Sequence, residues 1–189
     1  MRIVHKYGGS SVATTEKIMD IARYLGKVKD EGNEVIVVVS AMGKTTDALI
    51  RLATEITRNP DKREMDRLMS TGEQQTIALL SIALHSLGYD AISLTGRQAG
   101  IRTGGHHTKN RIESIDSENI NRYLDSGKIV IIAGFQGINE KGDVATLGRG
   151  GSDTSAVALA SALEAKCEIY TDVDGIYSID PRVYPKAKK

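Results

Sequence analysis

Two rhythms of apolar positions alternate along the 189-residue chain. Short continuous runs occur at Glu34–Val39 and Ile129–Ala133, the pattern of strands covered on both faces. Shorter runs at 2–6, 90–94 and 167–171 predict three more strands. Between them, residues 14–29 place Ile18, Ile21, Leu25 and Val28 three or four apart, which predicts a helix. Residues 47–57, 65–87, 117–126 and the alanine-rich 152–165 also read as helices. The polar, glycine-bearing stretch 98–110 predicts a loop, and 137–146 a hairpin with Gly142 in its turn. Strands alternating with helices predict βαβ units and an α/β fold with a mainly parallel sheet. At about 150 residues per domain, the length fits a single domain, and no internal repeat or low-complexity linker divides it.

Charge and composition narrow the classes. Lys and Arg number 25 against 24 Asp and Glu, so the chain lacks the basic excess of a nucleic-acid-binding protein and the block of an acidic tail. The longest apolar runs are far too short to span a bilayer, and the sequence argues for no membrane partner. Residues 1–6 enter a strand directly, with no basic segment followed by an apolar one, so no secretory signal is expected. A single cysteine, Cys167, allows no internal disulfide, reads as a buried strand residue, and points to a reducing compartment. Glycine is in excess, 19 of 189 against a usual ~7%, while proline, at 3, is scarce. That combination marks sites of tight turning or close backbone approach rather than disorder.

The glycines cluster at strand ends. The first strand runs into Lys6-Tyr7-Gly8-Gly9-Ser10-Ser11, the second into Ser40-Ala41-Met42-Gly43, a later one into Gly134-Phe135-Gln136-Gly137, and the last into Thr171-Asp172-Val173-Asp174-Gly175. Ligands of open α/β sheets bind outside the carboxyl ends of the strands, so this pattern predicts a ligand-binding α/β enzyme. Lys6 beside paired glycines suits a phosphate, because successive N–H groups and a fixed cation can converge on it; a plain strand-to-helix turn with a solvated lysine has the same pattern. Gly43-Lys44-Thr45 is not a Walker loop, since its first glycine would fall at Val38. Gly148-Arg149-Gly150 is not a dinucleotide fingerprint, since Asp153 takes the place of the third glycine.

Thr146-Leu147-Gly148-Arg149-Gly150-Gly151-Ser152-Asp153-Thr154 opens a helix for which Ser152 or Asp153 is a good N-cap. Free N–H groups at a helix start and the planar fork of Arg149 form an anion cradle. Glu73 falls within the apolar stripe of Met69, Ile77, Leu80 and Leu84. A carboxylate there must be paired or face a polar cavity. Alternatively, Ser70 and Glu73 form a capping box where Gly72 breaks the helix. Asp153, Asp172, Asp174 and Asp180 lie near the binding edge and could orient a magnesium nucleotide, though without EF-hand spacing. His5, His85, His106 and His107 show no zinc spacing with Cys167, and no Ser/His/Asp or Cys/His nucleophile arrangement is evident.

Taken together, these motifs resemble the aspartate kinases of the amino-acid kinase superfamily. The resemblance rests on residues 6–12, 39–43, 71–73, 134–137, 146–154, 170–177 and 180–182, in the family's order and over nearly the whole chain. It implies a three-layer α/β/α sandwich with a mainly parallel central sheet. It also implies ATP-dependent phosphorylation of the L-aspartate side-chain carboxylate to 4-phospho-L-aspartate, which opens the route to lysine, threonine and methionine. Lys6 and Asp153 would be catalytic, Asp153 orienting the lysine. ATP would be contacted by Lys6, Tyr7, Gly8, Gly9, Ser40, Ser152, Thr171, Asp172, Tyr177, Asp180, Pro181 and Arg182, with Mg²⁺ as cofactor and no protein metal ligand assigned. Aspartate would be held by Thr46, Glu73, Arg149, Gly150, Gly151 and Ser152, Arg149 taking the α-carboxylate and Glu73 the ammonium. Family members continue past the last residue with a further ATP-side lysine and paired ACT domains. The resemblance therefore implies a partial catalytic domain over 1–189, with the aspartate half complete and the ATP half not, drawn from a cytoplasmic homo-oligomer. A non-catalytic subunit that binds aspartate or a partner, or another member of the superfamily, is the alternative expectation.

Overall fold

The structure, a computed structural model, describes residues 1–148 and 150–171. The chain begins with β1 (Arg2–Tyr7), α1 (Thr15–Asp30) and β2 (Glu34–Val39). The long pair α2 (Thr45–Ile56) and α3 (Lys62–Ser86) leads to β3 (Ala91–Leu94). Then come β4 (Ile101–His106), β5 (Lys109–Ile115), α4 (Glu118–Asp125) and β6 (Ile129–Ala133). The described part closes with β7 (Gln136–Ile138), β8 (Val144–Thr146), α5 (Gly151–Ala162) and β9 (Lys166–Tyr170).

Among the described residues five strands form one wholly parallel sheet in the order β3-β6-β2-β1-β9. β2 shows why its run does not alternate: Val35, Val37 and Val39 pack towards α1 and α3, while Ile36 and Val38 pack towards α4 and α5. Both faces are therefore apolar, and the fold is the expected helix–sheet–helix sandwich. Thr14 caps α1 by accepting the Lys17 N–H at 3.3 Å, and Lys27 and Lys29 in the last turn complement the helix dipole. Among the described residues no helix is long and apolar enough to cross a membrane.

Several expectations need correction. The stretch 98–110 is not a loop: β4 and β5 form an antiparallel hairpin within a second, four-stranded sheet, β5-β4-β7-β8. Its turn, His107-Thr108, lacks the glycine or asparagine that usually marks a hairpin, and Thr108 adopts φ 70° regardless. Helix α3 runs unbroken through Ser70-Thr71-Gly72-Glu73, so there is no capping box there; Asp61 is the cap, accepting the Glu64 N–H at 3.1 Å. α5 is capped by neither Ser152 nor Asp153 but by left-handed Gly150, φ 75°. Cys167 is only half-buried, because β9 is the edge strand of the sheet among the described residues. The predicted hairpin with Gly142 in its turn is present as β7 and β8.

Candidate functional site

The carboxyl ends of β1, β2 and β6 lie side by side and are tied together by backbone. The Ser40 N–H donates to Tyr7 O at 3.1 Å, and the Gly134 N–H to Val39 O at 3.0 Å. The turn after β1 meets the turn after β2 where the Gly43 N–H reaches Gly9 O at 3.0 Å. A Cβ on Gly9 would sit 2.9 Å from the Ala41 carbonyl, so only glycine permits this approach. The start of α5 is seated just as closely, since a Cβ on Gly134 would meet Ser152 Cβ at 2.9 Å. The Ser40 and Ser152 hydroxyls share a hydrogen bond of 2.9 Å.

Lys6, 7% exposed at the end of β1, places its Nζ 2.6 Å from Asp153 Oδ1 in the first turn of α5. Burial of an ammonium demands such a partner. Beside it, α5 presents the free N–H groups and partial positive charge of a helix start.

Glu73 reaches the same edge from α3. Gly72 makes this possible: even the Cβ it lacks would lie 2.8 Å from Ala41 Cβ. The close approach lets Glu73 Oε1 accept the Ala41 N–H at 3.1 Å. The side chain is 3% exposed and Oε2 has no hydrogen-bond partner among the described residues. Burial pushes the Glu73 carboxyl up to about 7, outweighing the backbone N–H groups that favour the ionised form. A cavity of about 260 Å³ opens here, bordered by Gly9, Ser40, Thr46, Glu73, Phe135 and Ser152. Phe135 takes a left-handed backbone, φ 67°, held by its N–H donating to Ser155 Oγ at 3.1 Å and its carbonyl accepting the Leu147 N–H at 2.9 Å. Larger hollows of about 940 and 870 Å³ lie between β4 and α4 and between β5 and α5, away from the strand ends. The small cavity is where backbone donors and a buried carboxylate converge.

The fold thus gathers Lys6, Gly8, Gly9, Ser40, Thr46, Glu73, Gly150, Gly151, Ser152 and Asp153 at one edge. Tyr7 contributes only its carbonyl, because its ring is buried on the α1 face, stacked 4.7 Å from Tyr170. Thr171 follows β9, the neighbour of β1. Arg149, Asp172, Asp174, Tyr177, Asp180, Pro181 and Arg182 lie outside the described residues. Sequence reasoning gave Gly72 and Phe135 no site role of their own and passed over Asp66. Asp66 is fully buried on the stripe of Glu73, seven residues earlier, and bonds His107 Nδ1 at 2.6 Å, the Thr108 N–H at 2.9 Å and the Thr146 hydroxyl. Its place on an apolar stripe was the available signal.

A parallel sheet with a buried lysine, glycine turns and a helix N-terminus at its carboxyl edge is the architecture of a phosphate-handling α/β protein. The chain belongs to the amino acid kinase family, whose description matches residues 1–189. Its curated relatives include an aspartokinase of Geobacillus stearothermophilus, 57% identical over 188 residues, which cover 99% of this chain and 46% of that protein. Aspartokinase 2 of Bacillus subtilis is 56% identical over the same shares. Among solved structures, E. coli aspartokinase III in complex with aspartate and ADP has a TM-score of 0.86 at 28% identity, covering 100% of this chain and 53% of that one. Aspartate kinase from Synechocystis has a TM-score of 0.78 at 51% identity, covering 98% and 31%. The chain spans about half the length of the curated relatives it matches.

Proposed function

We propose that this chain carries the acceptor-binding and phosphate-facing part of an aspartate kinase, which transfers the γ-phosphoryl of ATP to the side-chain carboxylate of L-aspartate. The observation that carries this reading is one edge holding a buried carboxylate, Glu73, together with a buried lysine and a helix N-terminus. That combination complements a ligand bearing an ammonium as well as anionic groups. In this reading Glu73 takes the ammonium, Thr46 and the 150–152 backbone with Arg149 take the α-carboxylate, and Lys6 faces the transferring phosphoryl. Gly8, Gly9, Ser40 and Ser152 border the phosphates. Thr171, Asp172, Tyr177, Asp180, Pro181 and Arg182 contact the nucleotide, joined by the backbone of Tyr7.

An acceptor carboxylate is already ionised at neutral pH, so no general base is required. The barrier lies in bringing two anions together, and fixed positive charge lowers it. Lys6 supplies that charge and Asp153 holds it in place. In this reading magnesium is carried on the nucleotide phosphates. The product, 4-phospho-L-aspartate, feeds lysine, threonine and methionine formation, and we place the parent enzyme in the cytoplasm as a homo-oligomer. A hydroxamate assay of this chain with L-aspartate, ATP and Mg²⁺ tests the reading. Turnover lost in Lys6→Ala supports it, and turnover that survives Lys6→Ala overturns the role of Lys6. Aspartate binding without turnover assigns only the acceptor half to these residues.

A further inference from the structure

The unpartnered Oε2 of Glu73 has a consequence for which ligands the site accepts. No surrounding element supplies it with a counter-ion among the described residues. Lys6 of β1 is engaged by Asp153 of α5. The turns 40–43 and 134–136 carry no charged side chain, and Lys44 and Asp47 at the start of α2 are exposed. α3 itself has no other charged side chain between Arg67 and His85, and Asp66 is bonded within the second sheet. A buried carboxylate in such surroundings is relieved by taking a proton.

Building on the acceptor reading above, we propose that Glu73 selects the α-amine by proton exchange. On the acid side of neutrality the empty site holds the neutral acid, and a ligand whose ammonium reaches Oε2 takes the place of that proton, which leaves to bulk water. The exchange balances: Glu73-COOH plus a ligand ammonium gives the carboxylate–ammonium pair and one released proton. The charge of the site stays constant through the exchange, so the desolvated carboxylate gains the ammonium as it loses its proton.

Succinate, a dicarboxylate without the amine, supplies no such cation and binds only the protonated form. With Glu73 titrating at about 7, aspartate affinity falls as pH drops below that value and succinate affinity falls above it. The selectivity for aspartate over succinate then grows about tenfold per pH unit, roughly a hundredfold from pH 6 to pH 8.

The test combines carbon-13 NMR titration of the Glu73 carboxyl with calorimetry of L-aspartate and succinate on the intact chain, at pH 6, 7 and 8 and in buffers of different ionisation heat. The expected midpoint is near 7 in the free protein, lower by about two units or more with saturating aspartate, and not lowered by succinate. About half a proton is released per aspartate at pH 7. Glu73→Gln, which keeps the acceptor for the Ala41 N–H, abolishes proton release and flattens the pH dependence of the selectivity. An ordinary carboxylate midpoint in the free protein, or aspartate binding without proton release, overturns the exchange while leaving the acceptor reading intact. No aspartate binding at any pH overturns the acceptor reading, and the exchange with it.

Discussion

Lys6 and Glu73 are both buried ionisable groups, and the structure treats them oppositely. Lys6 has Asp153 at 2.6 Å, whereas Glu73 has only a backbone N–H. The paired cation is the one the proposed chemistry needs charged at every pH. Replacing it by alanine removes fixed charge from the transferring group, and hydroxamate formation is expected to fall by about 10²–10³-fold with aspartate binding largely retained by calorimetry. Gly72 is a second residue-scale lever. Alanine in a helix interior normally adds about 1 kcal/mol over glycine. Here its Cβ would press on Ala41 at 2.8 Å. Gly72→Ala should therefore show no rise in thermal midpoint, and its aspartate affinity should drop about tenfold as the Glu73–Ala41 bond lengthens. Glu73 was legible in the sequence because a carboxylate stood in an apolar stripe. Gly72 was misread as a helix break, since the pattern along one chain cannot reveal what lies against it.

At the scale of elements, α3 does two jobs along one stripe. Its carboxyl half packs on the parallel sheet through Ile77, Leu80 and Leu84, and its amino half fastens the second sheet through Asp66. Asp66 gathers three donors from the β4–β5 turn and β8, of which the Thr146 hydroxyl is fully buried. Asp66→Ala should cost about 3 kcal/mol in chemical denaturation, from the loss of three hydrogen bonds, one of them to the buried Thr146 hydroxyl. The loss should be accompanied by faster amide exchange in 101–115 than in the parallel sheet. This hairpin was invisible beforehand for physical reasons. Gly104 and Gly105 break the apolar alternation of β4, β5 exposes most of its side chains, and the His107-Thr108 turn carries no turn signature. β2 and β6 were read at their observed limits because burial on both faces leaves no room for a polar residue.

Over the whole molecule, the proposed function has a stability cost that varies with pH. Glu73 has a raised pKa in the folded chain, so the folded state keeps a proton that the unfolded state loses. Its favourable contribution is complete below about 4.5 and gone above about 7, a swing on the order of 3 kcal/mol. His5 works the other way. Burial lowers its pKa, with Glu168 pulling it up, so its contribution is present above about 6.5 and lost as pH falls below that value. The Gln variant isolates the Glu73 part: its gain in thermal midpoint over the parent should be several °C larger at pH 8 than at pH 5. An equal gain at both values would mean that Glu73 is ionised throughout.

The order of the parallel strands and their helices, the parallel sheet and the glycine-lined edge were determined by the sequence itself. Each depends on local spacing, on short apolar runs, or on a glycine placed where a strand stops. What only the tertiary structure decided is who meets whom. It set Glu73 against Ala41 across 32 positions. It brought Ser152 to Ser40 across 112, and closed Lys6 onto Asp153. It also turned the Tyr7 ring away from the edge its neighbours occupy, because successive strand residues face opposite sides of a sheet. Contacts so distant in sequence leave no periodic trace in the chain, since they arise only when burying the apolar faces brings the strand ends to one plane.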